Sequence, residues 1–556
     1  MVTPVLLEYC ASRLDGPVAP SQNLYTFHDL CYTLLALLRP CHIKQEEDFV
    51  EDTKRENTAS GATAHKQTSS QNTSPRLSTG VEGLDEVLHG GCLPGRAYLL
   101  RGGPGSGKTT LGLHILATGV ANGENTLCIT FGETEEQIRM NAVQIGIDLT
   151  HVHFLDLSPN ADAFCLMESY DIFSPAEVER EPITQKIIEA VQQVQPQRVF
   201  LDSITQFRYL SNDGFQFHKQ VLAFPRFLSE RHATVFFTSE GGEDTPDDDL
   251  QFMSDGVITL SFDGEERTIS VSKFRGSSFR TGHHTMRLTE EGMQVFPHLL
   301  LGKNTLPGSV ESISSGIVEL DTLLHGGLER GTVSIFTGPS GVGKTTLGLQ
   351  FMKEAAGRGE HSVVYLFDER EETVLHRCES VNIPVRAMIE RGTLLVRQIE
   401  PLEFSPDEFA YTVRQDVAKR GATVVMLDSV AGYRLSVQGN NLVPHLHALS
   451  KYLQSQGIAV LLINEVETIT GDFRITEAGI SYMADNIIFL RYLEIRGEMH
   501  KAIGVLKKRL TDFEKTLREI EITRNGIKVG RPLDDLRNIL SGIPEWSDTG
   551  RKPAEL

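Results

Sequence analysis

Two glycine-rich runs of the chain each end in a lysine followed by two threonines. The first is GGPGSGKTT at Gly102–Thr110 and the second is GPSGVGKTT at Gly338–Thr346. In the pattern G-x-x-x-x-G-K-[ST], glycines let main-chain N–H groups surround a phosphate at the start of a helix, and the lysine neutralises its charge. An isolated match can be an ordinary turn, but two matches that each follow an apolar run argue against that reading. The sequence therefore predicts two sites for Mg-ATP.

The roles within each loop follow from the chemistry of the side chains. Lys108 and Lys344 are assigned to the β- and γ-phosphates, and the hydroxyl groups of Thr109 and Thr345 to Mg²⁺. The predicted ATP-binding residues of the two loops are Gly103, Gly105, Ser106, Gly107, Lys108, Thr109, Thr110, Ser340, Gly341, Val342, Gly343, Lys344, Thr345 and Thr346.

An apolar run that ends in aspartate follows each loop. These runs are RVFLDS, with Asp202, and VVMLDS, with Asp428, and they lie at similar distances after the loop lysines. A carboxylate at the end of such a strand can hold Mg²⁺ through water. Strands that end in aspartate are common in any parallel sheet, so the position downstream of a phosphate loop carries the assignment. We predict that Asp202 and Asp428 contribute to the two magnesium sites.

Acidic residues also occur at one matched distance from the loop lysines. Glu133, in TFGETEEQI, follows Lys108 by the same number of positions as Glu369, in LFDERE, follows Lys344. Hydrolysis needs a base or an orienting group for water at this edge of a sheet, so both are candidate catalytic residues. A local explanation stays open, because residues Thr134 and Gln137 have capping-box spacing and acidic residues favour a helix start.

A basic pair appears late in each copy. Lys273 and Arg275 occur in SVSKFRGSS, and Lys507 and Arg509 in GVLKKRLTD, at nearly equal distances after the loop lysines. Residues at alternate strand positions face the same side. The pairs suit charge-stabilising fingers supplied to a neighbouring subunit, although solvated strand charges are the commoner alternative.

An internal repeat organises the chain. STGVEGLDEVLHGG at Ser78–Gly91 recurs as SSGIVELDTLLHGG at Ser314–Gly327, and the two loop lysines are separated by the same offset. Apolar runs, among them VSIFTG at 333–338 and AVLLINE at 459–465, alternate with helical patterns in each copy, which predicts an α/β fold with a mostly parallel sheet. The predicted division is a leader at 1–75, domains at 76–305 and 306–545, and a tail at 546–556. The polar Ser/Thr/Asn-rich part of the leader, 45–75, is expected to be disordered.

The composition restricts the classes of function. The chain has 556 residues, a formal net charge of −21 and 7 cysteines without C-x-x-C spacing. The charge disfavours a nucleic acid partner, and the cysteine spacing argues against zinc sites and a disulfide framework. No apolar run reaches the roughly 20 residues of a membrane helix. We expect a cytoplasmic protein that does not enter a membrane.

The most specific segment lies near the end of the second copy. ITEAGISYMADNIIFLRYLEIRGEMHKAIGVLKKR at Ile475–Arg509 resembles the second-domain signature of the KaiC branch of the RecA-like ATPases, and the resemblance spans about residues 76–545. It implies two tandem RecA-like P-loop domains in a double-ring homohexamer with ATP between subunits. It also implies ATP hydrolysis in the first domain and Ser/Thr autophosphorylation in the second.

The resemblance also assigns residues to the chemistry. The family's pair of catalytic acids falls on Gly132 and Glu133 in the first copy and on Asp368 and Glu369 in the second, where Asp368 is also a predicted Mg²⁺ ligand. The first copy therefore lacks one acid. The family's adjacent serine and threonine phosphoacceptors fall on Ser481 and Tyr482. Thr476 matches a further hydroxyl group of that segment.

The family's nucleotide contacts from a neighbouring subunit can be carried over in the same way. They fall on Lys273, Phe274, Arg275, Ser277, Thr289 and Glu290 in the first copy and on Lys501, Lys507, Lys508, Arg509, Thr511 and Lys515 in the second. The sequence departs from the family at Phe279 and Phe513, where a histidine is usual, and at Leu510, where glycine is usual.

Three functions follow from this reading. The leading hypothesis is a regulatory or signalling hexamer that hydrolyses ATP and phosphorylates its own Ser481. The second is a nucleotide-gated scaffold with little turnover, which Gly132 favours for the first domain. The third, RecA-like processing of nucleic acid, is disfavoured by the net charge of −21. Nothing in the sequence identifies a protein partner, and a circadian role is not inferred.

Overall fold

The computed structural model describes residues 75–158, 175–205, 223–241, 247–299, 311–436, 442–466, 479–537, 539 and 545–546. Two α/β domains follow one another within Thr73–Leu556, which forms one compact unit. The predictions for the leader before residue 75, for Thr476 and for the tail after Trp546 concern residues outside these ranges.

The first domain alternates strands and helices up to β6 and then continues as strands. Its described helices are α1 (Glu82–Val87), α2 (Lys108–Ala121), α3 (Glu135–Gln144), α4 (Pro175–Val194) and α5 (Asp248–Met253), with a further helical segment at 223–229. Its strands are β1 (Ala97–Arg101), β2 (Thr126–Thr130), β3 (His153–Asp156), β4 (Arg198–Asp202), β5 (Thr234–Ser239), β6 (Gly256–Phe262), β7 (Arg267–Phe274), β8 (His283–Thr289) and β9 (Gly292–Phe296).

The second domain repeats this order. Its described helices are α6 (Val318–Leu323), α7 (Lys344–Gly357), α8 (Glu371–Glu379), α9 (Val385–Glu390), α10 (Pro406–Arg420), α11 (Val430–Ser436) and α12 (Leu442–Ser455), with a 3₁₀ turn at Ile480–Tyr482. Its strands are β10 (Ser312–Ile313), β11 (Leu328–Glu329), β12 (Val333–Gly338), β13 (His361–Leu366), β14 (Leu394–Gln398), β15 (Ala422–Asp428), β16 (Ala459–Glu465), β17 (Asn486–Ile495), β18 (Glu498–Lys508), β19 (Arg518–Thr523), β20 (Gly526–Pro532), β21 (Leu536–Arg537) and β22 (Glu545–Trp546).

Each domain is built around a sheet of 9 strands. The order is β3-β2-β4-β5-β1-β6-β7-β8-β9 in the first domain and β14-β13-β15-β16-β12-β17-β18-β19-β20 in the second. The pairs from β3 to β6 are parallel, and those from β6 to β9 are antiparallel, with the same division in the second domain. The mostly parallel α/β fold predicted from the sequence is confirmed.

The parallel strands are buried on both faces, which explains their nearly continuous apolar sequences. Successive residues of a strand point to opposite faces, so Tyr98 and Leu100 of β1 pack in one core and Leu99 packs in the other. Helices α2 and α4 cover opposite faces, since Leu116 belongs to the first core and Ile187 to the second. The strands predicted at 333–338 and 459–465 match β12 and β16 residue for residue.

The two domains contact each other through α10. This helix packs against β8 and β9 of the first domain. Arg414 of α10 donates to Glu86 of α1 over 2.7 Å, and His298 lies 2.7 Å from Asp407 at the start of α10. The described residues include no helix that is long and apolar enough to cross a membrane.

Candidate ATP sites of the two domains

The two phosphate loops have matching backbone geometry. Gly105 and Gly107 adopt φ values of 71° and 100°, and Gly341 and Gly343 adopt 73° and 115°. These left-handed conformations favour glycine. Each loop connects a central parallel strand to the N-terminus of a helix of 14 residues, α2 or α7. Main-chain N–H groups and the positive end of the helix dipole therefore meet at the same point.

The loop lysines lie folded over their own loops. Lys108 Nζ donates to the carbonyl oxygens of Gly102 and Gly103 over 2.7 and 2.9 Å. Lys344 Nζ donates to the carbonyl oxygen of Pro339 over 2.8 Å. Burial lowers the pKa of both lysines. A phosphate beside them would favour the charged ammonium, so the loops fit the triphosphate that their sequence predicts.

Four of the predicted magnesium residues come together as pairs, one pair in each domain, whereas the role of Asp368 at Mg²⁺ stays a prediction. Thr109 Oγ1 donates to Asp202 Oδ2 over 2.6 Å, and Thr345 Oγ1 donates to Asp428 Oδ2 over 2.7 Å. Burial raises the pKa of Asp428 to about 6, so a cation beside it would relieve an unfavourable buried charge. Hydroxyl and carboxylate oxygens are suitable partners for Mg²⁺, which would neutralise the oxygens of the terminal phosphates.

The acids predicted to act on water have different surroundings in the two domains. In the first, Glu133 Oε2 accepts one hydrogen bond of 3.3 Å from Asn141 Nδ2, and a side chain at Gly132 would meet no described atom within 4 Å. In the second, both carboxylate oxygens of Glu369 accept hydrogen bonds of 2.8 Å from Arg377.

The predicted capping box of Thr134 and Gln137 is also present at the start of α3. The side chain of Glu133 does not take part in it. The local explanation therefore accounts for the helix start but leaves Glu133 available for chemistry.

The remaining acid, Asp368, is exposed and accepts a hydrogen bond of 2.6 Å from Ser429 Oγ. Ser429 Oγ in turn accepts from the main-chain N–H of Gly432. A Cβ at Gly432 would lie 2.6 Å from Asp368 Oδ1, so the absence of a side chain there makes room for the carboxylate.

The basic pair of the second domain holds the predicted acceptor segment. Lys507 Nζ donates to the carbonyl oxygen of Ser481 over 3.1 Å, and Arg509 donates to that of Tyr482 over 2.9 Å. The prediction that both basic side chains face the same way is confirmed. Ser481 is half-buried, whereas the side chain of Tyr482 is exposed.

The first domain has the same arrangement with different residues. Lys273 Nζ donates to the carbonyl oxygens of Gln251 and Phe252 over 2.8 Å, and Arg275 donates to that of Phe252 over 3.2 Å. Gln251 and Phe252 therefore occupy the place that Ser481 and Tyr482 occupy in the second domain. Neither carries a hydroxyl group, so these two positions of the first domain offer no phosphoacceptor.

Two contacts that we expected to reach a neighbouring subunit lie beside the chain's own loops. Lys501 Nζ donates to the carbonyl oxygen of Gly341 over 3.3 Å. Thr289 ends β8, next to Leu288, whose methyl groups lie 3.4 Å from a Cβ placed on Gly107. Both residues stay predicted nucleotide contacts, and their place beside the phosphate loop favours the nucleotide of their own domain over that of a neighbouring subunit.

The side chains of two further predicted contacts, Phe274 and Lys508, are enclosed within their own domains. Phe274 is buried and packs against Tyr98, so it offers only main-chain atoms to a nucleotide. The side chain of Lys508 is wholly enclosed, where it contacts Glu329 and Thr511. Its ammonium group is therefore engaged within the domain, so a contact of Lys508 with a nucleotide, like that of Phe274, would be made by main-chain atoms and stays a prediction. The other predicted contacts lie on partly or fully exposed loops and stay predictions; they are Ser277, Glu290, Thr511 and Lys515.

The structure adds a residue that sequence reasoning missed. Arg267 donates to the carbonyl oxygen of Gly105 over 3.3 Å, as Lys501 does to that of Gly341. The offset from Arg267 to Lys501 along the chain equals the offset from Lys273 to Lys507. Applying that offset to Lys501 identifies Arg267 from the sequence.

The central strand, the glycine loop, the loop lysine and the threonine–aspartate pair occur in both domains. Together they define the class of tandem P-loop ATPases. A family model described as "ATPase: KaiC" matches residues 77–299 and again 313–534. The chain therefore belongs to the KaiC family of ATPases.

Curated relatives of this family cover almost the whole chain. The circadian clock oscillator protein KaiC of Parasynechococcus marenigrum is 28% identical over 492 residues, which is 86% of this chain and 94% of the relative. Proteins with the same description from Prochlorococcus marinus and Synechococcus elongatus are 27% and 26% identical over 504 and 502 residues. Each alignment covers 88% of this chain, and they cover 98% and 95% of the two relatives.

Proposed function

We propose that this KaiC-family ATPase hydrolyses ATP in its first domain and transfers a phosphoryl group from ATP to its own Ser481 in the second. The observation that carries the proposal is the contact of Lys507 with the carbonyl oxygen of Ser481, beside that of Arg509 with Tyr482. The basic pair brings two positive charges to the one segment that carries a serine at the predicted acceptor position.

The acceptor and the phosphate loop are assigned to different subunits. Lys507, at the end of β18, contacts Ser481, whereas Lys501, near the start of the same strand, contacts the phosphate loop of its own domain. This arrangement therefore suits transfer of the phosphoryl group from ATP bound on the loop of a neighbouring subunit. In a closed ring of identical subunits, every Ser481 has such a neighbour. This supports the homohexamer with ATP between subunits that the family resemblance implies.

In the transfer step, the Ser481 hydroxyl oxygen bonds to the γ-phosphorus while the bond from that phosphorus to the bridging oxygen of ADP breaks. The hydroxyl proton passes to a carboxylate, and the exposed Asp368 of the neighbouring subunit suits that role. Mg²⁺ held near Thr345 and Asp428 would neutralise the charge that develops on ADP. In the first domain, Glu133 takes the corresponding role for water.

The proposal is tested by incubating the purified protein with Mg²⁺ and γ-labelled ATP and locating the label by mass spectrometry. We expect the label on Ser481 in the wild type and its loss in Ser481→Ala and in Lys344→Ala. The Glu133→Gln variant should still label Ser481. The last variant should lose most of the steady-state phosphate release.

Three results would contradict the proposal. Label that persists undiminished in Ser481→Ala would place the acceptor elsewhere. Nucleotide-dependent ring assembly without label and without phosphate release would instead favour the nucleotide-gated scaffold. Salt-sensitive binding of single-stranded DNA would favour nucleic-acid processing.

A further inference from the structure

Arg377 forms a closed pair with the candidate catalytic acid Glu369. The residue lies in the last turn of α8, and its two terminal nitrogens each donate a hydrogen bond of 2.8 Å to a different oxygen of the Glu369 carboxylate. Parallel bonds of this kind fix the plane of the carboxylate and occupy the lone pairs that face the guanidinium. Arg377 also interacts electrostatically with Asp428, so the pair lies on the metal side of the site.

The first domain has a different residue at the same place. Glu133 precedes the cap of α3 as Glu369 precedes that of α8, and the partner of each acid lies at the same distance further along the chain. In the first domain that partner is Asn141, whose amide donates one bond of 3.3 Å to Glu133. The bond is long and leaves one carboxylate oxygen of Glu133 without a contact to this helix.

This difference bears on the attack of water. In hydrolysis the water oxygen bonds to the γ-phosphorus as the bond to ADP breaks, and a carboxylate oxygen accepts the proton of the water. Glu133 has an oxygen free of its helix partner for that proton. Both oxygens of Glu369 already accept a bond from Arg377, so only the lone pairs that face away from the guanidinium remain for the proton, and the pair holds the carboxylate in a fixed plane.

We propose that Arg377 is a positioning residue that clamps Glu369 and suppresses ATP hydrolysis in the second domain, so that the γ-phosphoryl group is kept for a protein hydroxyl. The inference rests on the proposed autophosphorylation. It attributes the difference between the two sites, hydrolysis in one and transfer to a protein hydroxyl in the other, to the pair of Arg377 and Glu369. Asp368, which Arg377 does not contact, remains available to accept the proton of Ser481.

The experiment measures phosphate release from Mg-ATP by the full chain in a Glu133→Gln, Ser481→Ala background. Phosphate then comes from direct attack of water in the second domain. Arg377→Asn, which copies the first domain, should raise kcat for this release about 10-fold and leave KM within about threefold, since the substitution frees a base without removing a loop contact. Arg377→Lys retains the charge but has one donor group, and its kcat should lie between the two.

The matched control is Arg386→Asn. Arg386, in α9, pairs with Glu372 and Glu379 of α8, the helix that carries Arg377. It contacts neither acid of the site. This variant should release phosphate at the rate of the background. The reciprocal variant Asn141→Arg, in an otherwise unchanged chain, should lower phosphate release by the first domain about 10-fold.

The clamp is overturned if Arg377→Asn leaves kcat unchanged or lowers it, or if it raises KM more than about tenfold, which would make Arg377 a nucleotide contact. Should that variant not fold, Asn141→Arg decides the question, and an unchanged rate there also overturns the clamp. Label on Ser481 in the chain with only Arg377 replaced reports on the proposed function separately. If kcat is unchanged in Arg377→Asn but Ser481 is still labelled, the clamp is refuted and the proposed autophosphorylation is not. If Ser481 is not labelled in the unmodified chain, the proposed autophosphorylation is refuted.

Discussion

The ammonium group of Lys508 lies 2.6 Å from a carboxylate oxygen of Glu329, and neither side chain has any exposed surface. The same oxygen of Glu329 accepts a bond of 2.7 Å from Thr511 Oγ1, and its other oxygen accepts one of 3.2 Å from Asn486 Nδ2. Burial acts to raise the pKa of Glu329, but the bonds from Lys508 and Thr511 outweigh it and lower that pKa. The pair thus ties the end of β18, next to the basic residues of the site, to β11.

Removing one partner of this pair should strongly destabilise the second domain. Lys508→Met leaves the carboxylate of Glu329 buried without its cation, and we expect a loss of about 3–5 kcal/mol in the free energy of unfolding. Urea unfolding followed by circular dichroism measures it. The exposed Lys515→Met should change stability by less than about 0.5 kcal/mol. Lys508→Met with Glu329→Leu should recover much of the loss, and a single variant that costs under about 1 kcal/mol would refute the role assigned to the pair.

Arg267 and Lys501 should each strengthen ATP binding in their own domain. Both donate to a carbonyl of the phosphate loop, and burial lowers the pKa of Lys501, so an added phosphate is favourable to its charge. Replacing either by alanine should weaken ATP binding about 5- to 20-fold, which corresponds to about 1–2 kcal/mol.

Titration with a fluorescent ATP analogue checks this. Lys501→Ala is measured in a Lys108→Ala background, and Arg267→Ala in a Lys344→Ala background, so that one loop binds at a time. The exposed Lys419→Ala is the control for loss of a positive charge and should not change the affinity. An unchanged dissociation constant in both test variants would show that the contacts do not extend to nucleotide.

The contact between the domains should weaken as the pH rises above neutral. The hydrogen bond to Asp407 raises the pKa of His298 above its usual 6.5. A histidine whose pKa is raised by folding contributes fully below the unfolded value, and its contribution disappears as the pH rises through the folded value. Burial lowers the pKa of His284 and His445, which act in the opposite sense and cost stability below about pH 6.5.

Comparison with His298→Gln isolates the contribution of His298. The melting temperature of the wild type should exceed that of the variant by more at pH 6 than at pH 8.5, and the difference should be only about 1–2 °C because His298 is half-exposed. Differential scanning calorimetry at the two pH values measures it. A difference in melting temperature that grows with pH would contradict the stabilising role assigned to protonated His298.

Glycines inside α2 and α7 should respond differently to alanine. A Cβ at Gly112 would lie 2.2 Å from the ring of Phe200, and one at Gly348 would lie 2.4 Å from Met426 Sδ. Because an aromatic ring cannot yield as a methionine side chain can, we expect Gly112→Ala to cost about 1–3 kcal/mol and Gly348→Ala less.

Gly357, at the end of α7, provides the control. A Cβ there would meet no other described atom within 4 Å, so Gly357→Ala should be neutral or stabilise by about 0.5–1 kcal/mol. Urea unfolding ranks the three variants. Equal costs for Gly112→Ala and Gly348→Ala would show that both sites relax to the same extent.

Much of the fold was predictable because it depends on local patterns. The strands at 333–338 and 459–465 were predicted from apolar runs, and the two loops from a motif that needs only neighbouring residues. The side-chain environments were harder to predict. Lys507 and Lys508 are adjacent in sequence, yet one contacts the carbonyl oxygen of Ser481 and the other is enclosed with Glu329. Strand alternation separates the two, but only the packed domain shows which face is the interior.

The equivalence of Gln251–Phe252 with Ser481–Tyr482 was hidden for a related reason. The stretch of chain from Gln251 to Lys273 is shorter than that from Ser481 to Lys507, so a constant shift along the sequence does not align them. The strands that carry the two lysines nevertheless occupy the same place in their sheets, and their side chains reach the same carbonyl positions.

The sequence by itself determined that this protein has two phosphate loops, each with its threonine, its aspartate and its acid at a matched distance, because those features depend on residue type and spacing. Only the tertiary structure decided that the acids are unequal, since the partner of each acid lies further along the following helix and its reach depends on the fold. Glu133 meets the amide of Asn141, and Glu369 meets the guanidinium of Arg377 on both of its oxygens.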